Sequence, residues 1–477
     1  MLYILGFAML VTLVLFILIR TLLFRPYPTG NFHTSIPTVT SERLQNTFPQ
    51  LLRCRTISHD NTSLIDFQEF EAFKQLLATL YPKVFTTCQH EEIGPTGLLF
   101  LWPGKEPGPS TILMAHYDVV PVEEEFWTKP AFAGLFEDNT FWGRGSLDTK
   151  GTLCAILEAA ECLAASGFQP KHDLYFSFSG DEEVSGPSTP AIVQILKARG
   201  VKPELVLDEG GAIVENIFPG IKQSVAVVGS GEKGYLDLII DLSGPGGHSS
   251  TPPQHSLVGR LAKAIVNIEN KPFQTCFTKP VMAMLNNLGR YAGLGLRLVF
   301  ANLWLFKPLL ASIFHKNGCE LDAMIRTTIA VTTLSGSQAF NVMPPKASAG
   351  INLRLLDVNT VKEAVEHIKK SAATPGLTCT IVESHEASPP ANLSSPAWHC
   401  VRRIITATWP EVIISPYLML AATDSRHYCE ICDCVLRFSA MRLSKAERDM
   451  IHGHDERIKL ENLLGTVGFF LRLMMSR

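Results

Sequence analysis

The stretch Leu174 to Gly186, LYFSFSGDEEVSG, decides how this chain is read. An aromatic and apolar run, Leu174 to Phe178, is cut off by Ser179-Gly180 and delivers three consecutive acids, Asp181, Glu182 and Glu183, before another glycine. Ending a buried strand in adjacent carboxylates is costly, and in open α/β sheets ligands sit at the carboxyl ends of strands. Alone, the acids fit a solvated turn equally well. The pattern recurs twice, however. STILMA, Ser110 to Ala115, ends in His116-Tyr117-Asp118, and ELVL, Glu204 to Leu207, ends in Asp208-Glu209-Gly210-Gly211. Three apolar strands that end in metal-type ligands point to an α/β fold with a site along one sheet edge.

Composition agrees with an enzyme of that kind. The chain has 477 residues, 46% hydrophobic and 18% charged, enough for a large core and two or more domains. Its net charge of -3 and the lack of basic runs interleaved with aromatics argue against nucleic acid. The N-terminus is uncharged from Leu2 to Ile19, long enough as a helix to reach about 27 Å. It lacks the basic start and small-x-small site of a cleaved signal peptide, which favours an uncleaved anchor. Arg20 and Arg25 follow the span, which by the positive-inside rule keeps the body cytoplasmic. Two glycosylation triplets, at Asn61 and Asn392, argue instead for a lumenal body. The eleven cysteines form no framework, and Cys429, Cys432 and Cys434 lack the second half of a zinc knuckle.

After a linker over residues 25–40, helices are expected between Ser41 and Leu80. Ligand-type residues then arrive in the order His116, Asp118, Asp148, Glu182, Glu183 and Asp208. Asp148 follows Gly143-Arg144-Gly145 and precedes a helical pattern through Leu153, Ile156, Leu157, Ala160 and Leu163, so it sits at a loop-to-helix junction. An Asp there can also be a plain N-cap. Hydrolysis by two metal ions needs such a set: a shared carboxylate, His and carboxylate ligands on each ion, and an open position for water. Imidazole and carboxylate donors without thiolate suit zinc, with manganese or cobalt as alternatives. His116 and Asp118, two apart on an extended chain, project to one side, so Asp118 can hold the imidazole.

These residues resemble a known family, the co-catalytic zinc amidohydrolases that include aminoacylase-1, carboxypeptidase S and succinyl-diaminopimelate desuccinylase. The resemblance is carried by MAHYDVVPV (Met114 to Val122), GRGSLDTKG (Gly143 to Gly151), SGDEEVSG (Ser179 to Gly186) and DEGG (Asp208 to Gly211). It continues through GPGGHSSTPP (Gly244 to Pro253), FNVMPPKASAGINLRLL (Phe340 to Leu356), TDSRHY (Thr423 to Tyr428) and IHGHDE (Ile451 to Glu456).

The resemblance implies a zinc-peptidase-like catalytic domain with a mostly parallel sheet, formed by residues 41–229 and 347–477. It is interrupted by a smaller α+β lid or dimerisation domain over 230–346 and preceded by an apolar segment over 1–24. Two zinc ions per subunit are implied, with Asp148 bridging, His116 and Asp208 on one ion, and Glu183 and His452 on the other. The catalytic pair would be Glu182 as general base and Asp118 behind His116. His248 and Asn341 resemble donors to the substrate carbonyl, His248 often reaching across a dimer, and Arg354 resembles the clamp for the substrate carboxylate. The chain departs from the family at Asp455, where Asn is usual, and His454 becomes a rival ligand.

Within the family, the apolar N-terminus, DEGG and the stretch Leu296 to Phe314 look most like carboxypeptidase S and its animal relatives, the N-fatty-acyl-amino acid synthase/hydrolases. That stretch reads as lid core or a subunit interface, or as an apolar wall or membrane-touching patch. The implied activity is reversible hydrolysis of N-fatty-acyl amino acids, in the secretory pathway. Carboxypeptidase or dipeptidase action on short peptides is the alternative within the same chemistry. A metal-free binding protein of this fold would lack at least one ligand, and none is missing.

Overall fold

The computed structural model describes residues 2–27, 35–216 and 220–477, so residues 28–34 of the expected linker lie outside it. Leu174–Ser179 is a strand with every residue buried. It pairs parallel with Ser110–His116, which pairs parallel with Pro203–Asp208 on its other side. Because the three strands run the same way, their acid- and histidine-bearing ends emerge at one edge of the sheet. They lie within a ten-stranded, mixed but centrally parallel sheet. Their continuous apolar runs are what a sheet covered on both faces requires.

One face is covered by helix Lys150–Ala165, buried along nearly its whole length, and by the C-terminal helix Leu460–Met475. The expected helical region near Ser41 is two helices, Ser41–Arg53 and Phe67–Leu80. Thr40 caps the first by accepting from Arg43 N. Arg43 and Thr47 on that helix both reach the fully buried Glu158, tying it to the covering layer.

A second, four-stranded antiparallel sheet is formed by Thr328–Ser335, Lys346–Leu355, Gly234–Ser243 and Thr378–His385. Burial alternates along its central strands, so one face packs on helices Leu257–Glu269 and Val361–Ala372 and the other stays open. Two assignments differ from the sequence reading. Lys346–Leu355, Val361–Ala372 and Thr378–His385, expected in the second catalytic segment, belong to this small sheet and its core, because the strand from Gly234 pairs with both later strands. Conversely, helices Lys279–Leu288, Leu294–Ala301 and Leu303–Asn317, expected within the lid, pack into the core of the large sheet through Val281, Met284, Leu285, Phe300, Leu303, Leu310 and Phe314. Apolar periodicity told which faces are buried, not against which sheet.

Helix Leu2–Leu23 carries the expected apolar N-terminus. It is exposed along almost its whole length and meets the body near its last turn.

Candidate active site

The site is assembled where the parallel strands end. Gly180 must be glycine, since a Cβ there would stand 2.7 Å from the Tyr117 ring and 2.9 Å from Thr96 Cβ. The backbone then turns sharply and separates the three acids. Asp181 turns inward, its Oδ2 accepting from Ser188 N and Oγ at the start of helix Ser188–Ala198, and burial pushes its pKa up to about 6. Glu182 and Glu183 are left to the site. Their backbone N–H groups donate to the two oxygens of Asp118, at 3.2 and 3.1 Å, while Ser58 Oγ donates to Oδ2 at 2.7 Å. His116 Nδ1 lies 3.3 Å from Asp118 Oδ1 and 3.0 Å from its backbone oxygen. One fully buried carboxylate therefore orients both the imidazole and the Glu182-Glu183 turn.

Asp148 stands before the helix at Lys150, whose cap residue is Thr149 rather than Asp148. Its carboxylate is thereby free for the site. Oδ1 lies 2.9 Å from His116 Nε2 and Oδ2 lies 3.1 Å from His452 Nε2. His452 Nε2 is also 3.0 Å from Glu183 Oε2. Thr149 Oγ1 donates to His116 O and accepts from His116 N, locking the loop to the strand end. The loop is held from behind by Glu456, fully buried, which accepts from the N–H groups of Gly145, Leu147 and Asp148 and from Arg144 Nη1.

Glu209 is the residue that the sequence reading missed. Its Oε1 lies 3.5 Å from His116 Nε2, and it groups with Glu182 and His116, whereas Asp208 falls outside both candidate ligand groups. Asp208 Oδ2 instead accepts from Ser425 N, and burial followed by the nearby Asp424 raises its pKa to about 6. At a strand end, successive side chains point to opposite faces, so a one-residue difference decides which acid faces the imidazole. The adjacency of two acids in DEGG was the only signal available.

The donor set fits divalent metal. One ligand atom each from His116, Asp148 and Glu183, and from His116, Glu182 and Glu209, lies within 4.8 Å of the others. Among the described residues the ion pairs of Asp148, Glu183 and Glu209 are with histidines alone. Burial raises Glu182 and Glu209 well above the usual carboxylate range, with Glu209 adding to the first and Asp148 to the second. Burial disfavours the charged His116, yet Glu209 and the hydrogen-bonded acids outweigh it and hold its pKa well above normal. His452, hydrogen-bonded to Asp148 and Glu183, is raised to about 10. Buried carboxylates in such excess need cations, and among the described residues two imidazoles are what pairs with them.

Of the expected substrate residues, Arg354 lies on the open face of the small sheet, its guanidinium 4.6 Å from the Tyr235 ring, which also stacks on His385. His248 and Asn341 are exposed neighbours: His248 pairs with Val342, and Ser249 N donates to Asn341 O. Among the described residues no hydrogen bond or ion pair joins either to the His116 cluster. Asp455, in the left-handed region that Asp and Asn tolerate, accepts from Thr128 N and Oγ1, a task Asn performs equally well. His454 lies beside Phe126, with ring centroids 5.3 Å apart and the rings tilted by 37°, and takes no part in the ligand groups. Asn61 and Asn392 are both exposed. Cys432 and Cys434 are buried free thiols.

Comparison with known proteins matches the sequence model of peptidase family M20/M25/M40 to residues 112–476. A Dictyostelium discoideum protein named "Probable carboxypeptidase S-like 2" is 32% identical over 93% of this chain and 86% of its own length. The N-fatty-acyl-amino acid synthase/hydrolase of Mus musculus is also 32% identical, over 88% of this chain and 84% of its own. Among solved structures, an M20 family metallo-carboxypeptidase of Sulfolobus solfataricus superposes with a TM-score of 0.65 at 18% identity, covering 91% of this chain and 100% of that one. Human carnosine dipeptidase 1 gives 0.60 at 14% identity, covering 91% and 97%.

Proposed function

The chain belongs to peptidase family M20/M25/M40 and is a metal-dependent hydrolase, and from that premise we propose that it cleaves the amide bond of N-fatty-acyl amino acids using two zinc ions. The observation that carries the two-ion reading is Asp148, whose two oxygens face two different histidines. His116, Asp148 and Glu209 would hold one ion and His452, Asp148 and Glu183 the other. Bound there, the ions supply Lewis acidity and a water acidified toward neutrality.

The chain's own residues do the rest. Glu182, the residue directly before the ligand Glu183, removes the proton of the attacking water and returns it to the leaving amide nitrogen. Asp118 keeps His116 and the Glu182-Glu183 turn aligned throughout. Arg354, aided by the neighbouring Tyr235, binds the substrate carboxylate with its fork of donors. His248 and Asn341 donate to the carbonyl oxygen as charge develops, delivered by closure of the small sheet or by a partner subunit. Run in reverse, the same steps condense fatty acid and amino acid.

A peptide substrate is the second reading, favoured by the equal identity to the carboxypeptidase S-like relative. Hydrolysis of oleoyl-phenylalanine against a dipeptide separates the two: faster turnover of the dipeptide would remove the fatty-acyl assignment and leave the mechanism.

We also infer that Leu2–Leu23 remains attached as a membrane anchor with the body in the secretory pathway. At about 33 Å it is long enough to span, and Arg20 donates to Ala301 O while Asn302 Nδ2 donates to Thr21 Oγ1. Such docking supports a retained helix. Loss of mass on glycosidase treatment, abolished by Asn61→Gln with Asn392→Gln, is expected; an unshifted chain would put the body on the cytoplasmic side.

A further inference from the structure

Helix Leu303–Asn317 is apolar on its outward side as well as its inward one, which is unusual at a protein surface. Its inward side is formed by Leu303, Leu310 and Phe314. Its exposed positions are Trp304, Leu305, Pro308, Leu309, Ser312 and Ile313, which recur at the spacing of one helical face, followed by His315 and Lys316 at its C-terminal end. Trp304 is 53% exposed, Leu309 52%, Leu305 43% and Ile313 39%. The preceding helix, Leu294–Ala301, adds Leu294 at 69%. The two meet at a sharp bend of 114°. Contiguous apolar surface of this kind marks an interaction site.

Its position says what covers it. Trp304 packs against Phe16 of the N-terminal helix, with ring centroids 6.4 Å apart. Arg20, one turn further along, lies over the same Phe16 ring and donates to Ala301 O at the bend. If Arg20 marks the headgroup level of the anchor, Phe16 lies about 6 Å deeper by helical rise. Trp304 then sits at the hydrocarbon boundary, the depth at which tryptophan is enriched and amphipathic helices lie. At the junction a cleft of about 560 Å³ is lined by Arg20, Phe24, Met282, Trp304 and Lys307, apolar walls with two cations suited to phosphate headgroups. A protein partner on this stripe would compete with the lipid surrounding the anchor one turn away.

We propose that the bent helix pair Leu294–Ala301 and Leu303–Asn317 is a second membrane-embedded element, lying in the interface of the bilayer that the N-terminal helix spans. This rests on the anchor reading and adds to it. The body is thereby seated against the lipid surface at two points rather than tethered by one. An amphiphilic substrate that partitions into lipid would be held close to the enzyme by such seating.

Tryptophan fluorescence of the full chain in lipid vesicles tests this, since among the described residues Trp304 is the tryptophan that packs on the anchor; the others are at 102, 127, 142, 398 and 409. The chain is reconstituted in phosphatidylcholine vesicles, plain or brominated near the top of the acyl chains, and flotation reports anchoring. Quenching by the brominated lipid in the wild-type chain, lost in Trp304→Phe, is the expected result. A chain that floats yet is not quenched leaves the anchor standing and overturns the proposal, as does dimerisation through the stripe in vesicles. A chain that does not float fails at the anchor reading and takes the proposal with it.

Discussion

Replacing Glu456 by Gln tests how the Asp148 loop is held. Glu456 Oε1 accepts from Leu147 N at 2.7 Å and Asp148 N at 3.1 Å, and Oε2 accepts from Gly145 N at 3.0 Å and Arg144 Nη1 at 2.8 Å. Gln keeps a carbonyl for the first pair but sets an NH2 group against two donors. Arg144, 3% exposed, loses its counter-charge while keeping its bond to Gly453 O and its place over the Trp127 ring. Breaking a buried pair from one side costs about 3–5 kcal/mol, and the surviving contacts of Arg144 place the loss near the lower end. Because the released Gly145 N–H and Arg144 lie three and four residues before Asp148, the loop that carries the Asp148 carboxylate loosens as well. Supporting residues behind metal ligands are worth about 10–100-fold in metal affinity or activity. The assay is denaturation of the full chain in detergent, with metal content measured after dialysis and with the exposed Glu125→Gln as control. A Glu456→Gln chain with wild-type midpoint and wild-type metal content would refute the reasoning.

Three further outcomes are expected. Glu209→Gln should lower metal affinity and kcat/KM by about 10–100-fold, with Asp208→Asn milder on both; the reverse order, read from metal titration, would restore Asp208 as the ligand. Arg354→Ala should cost about 10–100-fold in kcat/KM for acyl amino acids with a free carboxylate, from a charge-assisted bond worth about 1.5–3 kcal/mol, and little for their methyl esters; equal losses on both would remove the clamp assignment. Lys233, donating to Ala323 O and Arg326 O, has its pKa pushed down to about 7 by burial, with Arg354 adding to it. Between that value and its unfolded value near 10.4, the unfolded chain holds the extra proton, so raising the pH stabilises the fold. The stability of wild type relative to Lys233→Met should therefore climb across this window by up to roughly 4–5 kcal/mol at 1.36 per unit, and a flat difference would contradict it.

How far the sequence reached depended on the kind of question. Leu174–Ser179, Ser110–His116 and Pro203–Asp208 were legible because an apolar run closed by ligands has few other uses, and the structure makes them adjacent parallel strands. His116, Asp148, Glu183 and Glu182 came with them. Asp208 and Glu209 could not be told apart, because the choice rests on a rotation at the end of one strand. Glu456 escaped because its partners lie more than 300 residues earlier in the chain. The stretch Leu296 to Phe314 read as lid core, a subunit interface or an apolar patch, and the lid was misplaced because the helices from Lys279 to Asn317 have sequence neighbours in the small sheet but packing partners in the large one.

The proposed sharing of Asp148 between two ions fixes how many metals each chain holds. Metal content per chain, measured on the purified full-length protein after chelation and titration with zinc, tests it most directly when compared across variants. Two ions in the wild type, one in His452→Ala and none retained in Asp148→Asn, with activity following the occupancy, is the predicted result. A single ion in the wild type, or two ions retained without Asp148, would contradict it.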